Sequence, residues 1–397
     1  MEDNKLIEER KRKLHELQSK GINAYPYSYD KKDTVSDILE RFRSLEKEQK
    51  TDEKVSVAGR IMFTRRMGKA TFMHVQDQTG RIQFYFRQDD VGKEEYKLLK
   101  QLDIGDLIGA EGTVFTTKTG EISIYVESFE ILCKSIRPLP EKFHGLKDEE
   151  LKNRKRYLDF IMNPDTRKRF EMRTRIISLV RTFMNEKDFM EVETPVLQPI
   201  YGGTNAKPFT THINAYDMQM YLRVAPELYL KRLLVGGYER IYEIARNFRN
   251  EGVDQTHHPE FTMIEWYEAY ADYFRTMDLA EEMYKYIAKS LYGKEEVQVH
   301  DKTIDLSKRW PRMSLIESIR KFADIDVENL SDKELHEVLK KNKVEISGES
   351  SRGIMIFEIF DKLVCDKLVD PIWIIDYPKE VSPLAKQKRD DERFVER

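Results

Sequence analysis

Apolar residues recur at helical spacing over residues 4 to 19, where Leu6, Arg10, Leu14 and Leu17 fall on one stripe, and Gly21 and Pro26 then break the run. A second helix is predicted over residues 34 to 48, with Val35, Ile38, Leu39 and Phe42 on one side and a solvated charged face opposite. From residue 55 to 133 the period drops to two. VSVAGRIMF, ATFMHVQD, RIQFYFRQ, DLIGAEGTVF and EISIYVESFEIL read as strands, with a helical insert EEYKLLKQL before the fourth. Five short strands with a helix between the third and fourth outline an OB-fold barrel, a module that often grips single-stranded nucleic acid.

A Pro-rich start and a charged helical continuation make residues 138–165 a connector. Beyond it, TRKRFEMRTRIISLVRTFMNEKDF has a strong helical period through Phe170, Ile176, Ile177, Val180 and Phe183, and EVETPVLQP follows as an extended segment. Further helices are predicted over residues 272 to 292, 312 to 325, 331 to 342 and 350 to 368, and a buried strand over 372 to 375. The resulting division is 1–50 for the N-terminal helices, 51–137 for the barrel, 138–165 for the connector and 166–397 for the second domain.

The richest alternation lies in residues 240 to 267, RIYEIARNFRNEGVDQTHHPEFTMIEWY, two strands joined by a polar loop. Side chains alternate along a strand, so Arg249 and Glu251 share a face, as do Phe261, Met263, Glu265 and Tyr267 on the returning strand. Such a face is not core surface. A guanidinium fork suits phosphate, a carboxylate accepts from an amino group, and a ring offers a stacking plane to adenine. The pattern points to a nucleotide beside a small amine, although a half-exposed hairpin with Arg–Glu cross-strand pairs would account for any one of these residues alone.

At 397 residues the chain is long enough for two cores, and with 35% charged residues but a net charge of only -3 it is no polybasic nucleic-acid coat. The barrel segment is itself balanced, with 11 Lys+Arg against 11 Asp+Glu over residues 55 to 135, so recognition of a few bases fits better than loose phosphate tracking. Phe72 could stack on a base while Gln83 and Glu121 bond base edges; equally, Phe72 could sit in the core with the other two facing water. Cys133 and Cys365 are isolated, which suggests neither a disulfide framework nor a zinc site. Adjacent His257 and His258 lack a metal-ligand spacing, so no metal ligand is assigned. No membrane-length apolar run or signal-peptide stretch is present, and a cytoplasmic setting is expected.

FRNE followed by HHPEF and a polar-faced strand resembles motif 2 of the class II aminoacyl-tRNA synthetases, and with APELYLKRLLVGG and RPLPEKFHGL the wording resembles the lysyl-tRNA synthetases of subclass IIb. The resemblance implies an α+β chain, an N-terminal OB-fold β-barrel followed by a class II catalytic domain with an antiparallel sheet and flanking helices. It implies that the barrel reads the tRNA anticodon through Phe72, Gln83 and Glu121. Lysine would be held by Gly203, Glu227, Glu265 and Tyr267. ATP, accompanied by Mg²⁺, would be bound by Arg249 on the α-phosphate as the catalytic group, by Asn250, Glu251, His257 and His258, and by Phe261 under the adenine. Residues around Pro195 resemble motif 1, which implies a homodimer, with tRNA(Lys) as the nucleic-acid partner.

Two carboxylates and a tyrosine favour an ammonium occupant independently of any likeness, since a buried uncompensated carboxylate is costly. That argues against the aspartyl or asparaginyl synthetases that share this architecture. No run resembling motif 3 occurs before Arg397, so the resemblance implies a catalytic domain incomplete at its C-terminus and leaves activity by this chain alone open. A non-catalytic fragment that binds tRNA and dimerises is the alternative.

Overall fold

Helix α1 (Glu2–Ser19) buries Leu17 completely and Arg10 almost so, the Arg10 guanidinium donating to the carbonyls of Ser135 at 2.9 Å and Ile104 at 3.0 Å. The computed structural model describes residues 2–140, 148–254, 256–344 and 351–397, and the chain separates into two units, Met1–Lys168 and Arg169–Arg397. Residues 141–147 of the connector, including the wording KFHGL, lie outside the described residues, as does Ser350 at the start of the last predicted helix.

In the first unit, α2 (Val35–Arg41) is capped by Thr34, whose hydroxyl accepts from the Asp37 N–H at 3.3 Å. It is shorter than predicted. Beyond Arg41 the segment SLEKEQK offers only Leu45 to the core, and the backbone leaves the helix through tight turns that end with Glu48 at φ 63. Strands β1 (Lys50–Met67), β2 (Ala70–Gln76), β3 (Arg81–Arg87), β4 (Leu107–Thr116) and β5 (Ile122–Cys133) close into a barrel in the order β1-β2-β3-β5-β4. All neighbours run antiparallel except β3 and β5. Closure removes the unpaired edges that an open sheet would expose. Helices α3 (Gln88–Val91) and α4 (Lys93–Leu98) fill the predicted place between the third and fourth strands. Leu17, Val35 and Ile38 share one core with Val57, Met73, Phe84 and Ile124, so the two leading helices complete the barrel's interior. At its edge Lys134 is fully buried between Asp106 at 2.7 Å and Asp103 at 2.5 Å.

Helices α5 (Glu149–Arg154) and α6 (Arg156–Met162) form from the described part of the connector and lie in the first unit, and α7 (Pro164–Glu186) begins with a proline whose missing N–H is no loss at a first helical position. In the second unit, the chain turns at Asp188 (φ 61) into β6 (Met190–Glu191), which pairs in parallel with β10 (Arg240–Phe248). Strands β7 (Leu197–Gln198), β8 (Thr210–Ile213) and β9 (Met218–Leu222) form a small antiparallel sheet in the order β7-β9-β8, and α8 (Glu227–Val235) leads into β10 (Arg240–Phe248) and β11 (Glu260–Glu268). Helix α9 (Tyr273–Tyr292) follows, capped by the Asp272 carboxylate.

The β10–β11 hairpin divides its labour by face. Even-numbered Tyr242, Ile244, Ile264 and Trp266 pack against Val180, Phe183, Leu279 and Met283 of α7 and α9. The odd-numbered residues face away from that core, which leaves their polar groups free to form a site.

Beyond α9 come a short hairpin, β12 (Glu296–Val299) and β13 (Lys302–Asp305), and then β14 (Arg312–Ser314), paired in parallel with β15 (Trp373–Ile375). The helix predicted over 312 to 325 starts later, because residues 312–314 are in β14 and Ser314 with Glu317 closes a capping box at the head of α10 (Leu315–Ala323). Helices α11 (Asp332–Lys341) and α12 (Arg352–Leu363) complete a core with α10 around Leu335, Ile359 and Phe360. The strand predicted to be buried over 372 to 375 is only half-buried, since β14 is its sole pairing neighbour among the described residues.

Candidate active site and base-reading face

Opposed residues in the hairpin are Asn247 with Phe261, Ala245 with Met263, Glu243 with Glu265 and Ile241 with Tyr267, so each pair projects to one side. Arg249 continues this row. Its N–H donates to the Pro259 carbonyl at 2.9 Å, and its guanidinium lies over the Phe261 ring, 5.0 Å from the centroid. The Arg249 Nε is buried with no hydrogen-bond partner among the described residues, which leaves a donor available for an anion. Arg246 alternates to the other face and pairs with Glu260 at 3.3 Å.

Toward the other end of the hairpin, Tyr267 donates from its hydroxyl to Glu265 at 3.4 Å. Burial, and then the neighbouring charge of Glu227, push the Glu265 carboxyl up to about 7. The Tyr267 phenol is pushed upward too, first by burial and then by Glu265 and Glu227. Glu227 is the first residue of α8, where the helix dipole favours a carboxylate, and its Oε1 accepts from Lys231 one turn along. Gly203 closes the other side at φ 97. A Cβ there would stand 3.0 Å from the Glu227 Cβ and 3.1 Å from that of Ala225, so a side chain would be strained by the backbone angle and would have to displace both neighbours by a few tenths of an ångström. Gly203, Glu227, Glu265 and Tyr267 are therefore gathered together, with Arg249 near enough to offset part of Glu265's burden.

The loop residues are placed more loosely. Asn250 is exposed and is held by its backbone N–H, which donates to Lys207 O at 2.8 Å, while the exposed Glu251 accepts from the Lys207 N–H at 3.3 Å. His257 is exposed and turned onto Asp254, Nδ1 to Oδ2 at 2.8 Å; His258 is also exposed. Hydrogen bonds from the N–H and hydroxyl of Thr256, and then from His257, hold the Asp254 carboxyl well below its usual range. Neither histidine is joined to the Arg249–Phe261 pair.

The site also includes residues that the sequence pattern alone does not single out. Asn247 is fully buried beside Phe261 with neither amide atom partnered among the described residues. Glu243 opposes Glu265 and is bonded to Arg223 and Thr194. The alternation that exposed Glu265 also carries Glu243 and Asn247, but the Arg223 partnership joins β10 to the segment after β9 and has no local signature.

On the barrel, Phe72 faces outward from β2, opposite Tyr85, with ring centroids 4.8 Å apart, so it is not core. Gln83 does not simply face water: it is 7% exposed, its Nε2 donating to Glu121 at 2.9 Å and its Oε1 accepting from Ser123 at 3.2 Å. Glu121 also bonds His74 Nε2 at 2.9 Å. Phe72, Gln83 and Glu121 line one open cavity of about 760 Å³, joined by Tyr85, Phe115 and Tyr125. Lys50 lies 5.0 Å from the Tyr125 centroid. Rings flanked by a cation suit stacked, unpaired bases.

Residues 148–397 match the family described as class II tRNA synthetases (D, K and N), and residues 55–132 match the OB-fold nucleic acid binding domain. The chain is 48% identical over 387 residues to a lysine–tRNA ligase of Methanoculleus marisnigri, covering 97% of this chain and 76% of that protein. It is 48% identical to the lysine–tRNA ligase of Pelotomaculum thermopropionicum, with 99% and 78% covered, and 45% identical to that of Staphylococcus epidermidis, with 100% and 81% covered.

Proposed function

The chain belongs to the lysine–tRNA ligases of the class II tRNA synthetase family, and on that premise we propose how its residues divide the reaction. The lysine carboxylate attacks the α-phosphorus of ATP, giving lysyl-adenylate and pyrophosphate; the terminal hydroxyl of tRNA(Lys) then attacks the lysyl carbonyl, takes the lysyl group and releases AMP. Displacement of this kind depends on alignment and charge neutralisation more than on a general base. Arg249 is the group that meets the α-phosphate, and Phe261 stacks under the adenine. Glu251 accepts from the adenine amino group, with Asn250, His257 and His258 closing from the loop.

Gly203, Glu227, Glu265 and Tyr267 take the lysine. The observation that carries this reading is the crowding of Glu227 and Glu265, which leaves Glu265 raised to about 7 until a cation arrives. An aspartate side chain would add a further negative charge there. Mg²⁺ enters as the usual companion of the nucleotide phosphates; among the described residues no trio of His, Cys, Asp or Glu side chains is gathered for a metal, and none is assigned.

Phe72, Gln83 and Glu121 read the anticodon, with Gln83 held in register by Glu121 and Ser123. A second copy docks along α7 and the segment around Pro195, a reading supported by exposed apolar Ile176, Met190, Leu197 and Ile200. No described helix is long and apolar enough to cross a membrane, and the setting proposed is the cytoplasm.

Amino-acid-dependent ATP–pyrophosphate exchange, run in parallel with lysine, aspartate and asparagine, tests the assignment. Lysine alone should drive exchange. Exchange driven by aspartate would overturn the pocket assignment, and tRNA binding without any exchange would favour the non-catalytic alternative.

A further inference from the structure

Behind the pocket carboxylates lies a buried ion pair that the chemistry above leaves unused. Glu243 stands directly across from Glu265 on the site face, 3% exposed, with one oxygen accepting from Arg223 Nη1 at 2.6 Å and the other from Thr194 Oγ1 at 2.6 Å. Arg223 is itself 3% exposed and also donates from Nε to Arg246 O at 2.9 Å and from Nη1 to Thr194 O at 3.1 Å. Backbone from β10 and from the segment before β7 thus fixes one guanidinium against one carboxylate. Stability alone does not call for such a pair, since apolar groups of similar volume commonly serve as well. Its position suggests an electrostatic role.

Glu265 faces Glu227 from α8, Glu243 from β10, Tyr267 from its own strand and Arg249 past the end of β10, while Lys231 pairs with Glu227. We propose that Arg223, held on Glu243, is a positioning residue that keeps the amino-acid pocket at a charge one ammonium group can neutralise. The inference rests on the lysine assignment of the pocket. Without Arg223, Glu243 would stand as a third unbalanced carboxylate opposite Glu265. Without the Glu243 charge, Arg223 would repel the incoming ammonium. The upward push that Glu243 already exerts on Glu265, behind burial and Glu227, agrees in sign.

The test uses the full chain and two readouts, ¹³C-carboxyl NMR titration of Glu265 without ligand and calorimetric lysine binding between pH 5.5 and 8.5. In Glu243→Gln, Glu265 should titrate about one unit lower and lysine binding at pH 8 should weaken about tenfold. In Arg223→Gln, Glu265 should titrate about one unit higher. The double variant Arg223→Gln/Glu243→Gln, neutral overall, should return both readouts to within about threefold of the parent. Single variants that move the Glu265 titration in the same direction, or a double variant no better than the worse single, would reduce the Arg223–Glu243 pair to a structural support and overturn the proposal. Should Arg223→Gln fail to fold, Arg223→Lys decides, because it keeps the charge and gives up the guanidinium fork: the Glu265 titration should stay within about 0.3 unit of the parent, and a shift as large as that of Glu243→Gln would overturn the proposal. Failure of the parent chain to bind lysine would refute the pocket assignment, whereas lysine binding by the parent without opposite shifts of the Glu265 titration in the single variants would refute the charge coupling alone.

Discussion

Replacing Glu265 by glutamine should make the ligand-free protein more stable at pH 8 while abolishing its response to lysine. Burial first, and then Glu227 and Glu243, raise the Glu265 carboxyl from 4.5 to about 7. A carboxyl raised in the folded state keeps a proton that the unfolded chain has already released. Its contribution is therefore fully present below pH 4.5 and is lost as pH rises through about 7. Glutamine never ionises and escapes that loss. At ~1.4 kcal/mol per unit the displacement bounds the gain near 3 kcal/mol, and partial access of solvent to a half-buried group brings it to about 1–2 kcal/mol. In a unit of this size each kcal/mol moves Tm by about 2–4 °C. Thermal melts at pH 4.5 and pH 8, each with and without lysine, provide the measurement. The variant should match the parent at pH 4.5 and melt higher at pH 8, and lysine should protect only the parent. An equal offset at both pH values, or a lower variant Tm at pH 8, would show that Glu265 carries no ionisation burden in the fold.

Phe261→Leu should raise the KM for ATP about five- to tenfold, through loss of roughly 1 kcal/mol of ring stacking, and leave the KM for lysine unchanged in pyrophosphate exchange. Gly203→Ala, which would put a methyl 3.0 Å from the Glu227 Cβ at φ 97, should destabilise by about 1–2 kcal/mol and raise the KM for lysine; unchanged lysine kinetics would mean that Glu227 is not held by this contact. Phe72→Ala should weaken tRNA binding by about 1–3 kcal/mol without altering lysine-dependent exchange, which a filter-binding assay beside the exchange assay separates.

The parts of this molecule legible in the sequence were those written in local periodicity. Arg249, Phe261, Glu265 and Tyr267 could be put on one face because the strand period is two, and the hairpin keeps that register without a bulge. The same rule applied to RIQFYFR places Tyr85 on the face of Gln83, whereas its pairing with Phe72 depends on the register between β2 and β3. What stayed hidden depended on contacts between distant segments. The Gln83 amide is bonded to residues on β5 and just before it, and Arg223, just past the end of β9, meets Glu243 on β10. Helix α2 was overextended because the charged residues after Arg41 suit a helix locally but have little to pack against.

Because the hairpin uses alternate positions for its hydrophobic core and for its chemistry, it should accept substitution far more readily than a change of length. A single inserted or deleted residue in β10 would rotate every following side chain by half a turn, sending Ile244 to the side of the site and Glu243 or Asn247 into the apolar layer beneath α9. Diversification of this segment is therefore confined to exchanges at fixed spacing, and any gain or loss of chain length must fall in the connecting loop.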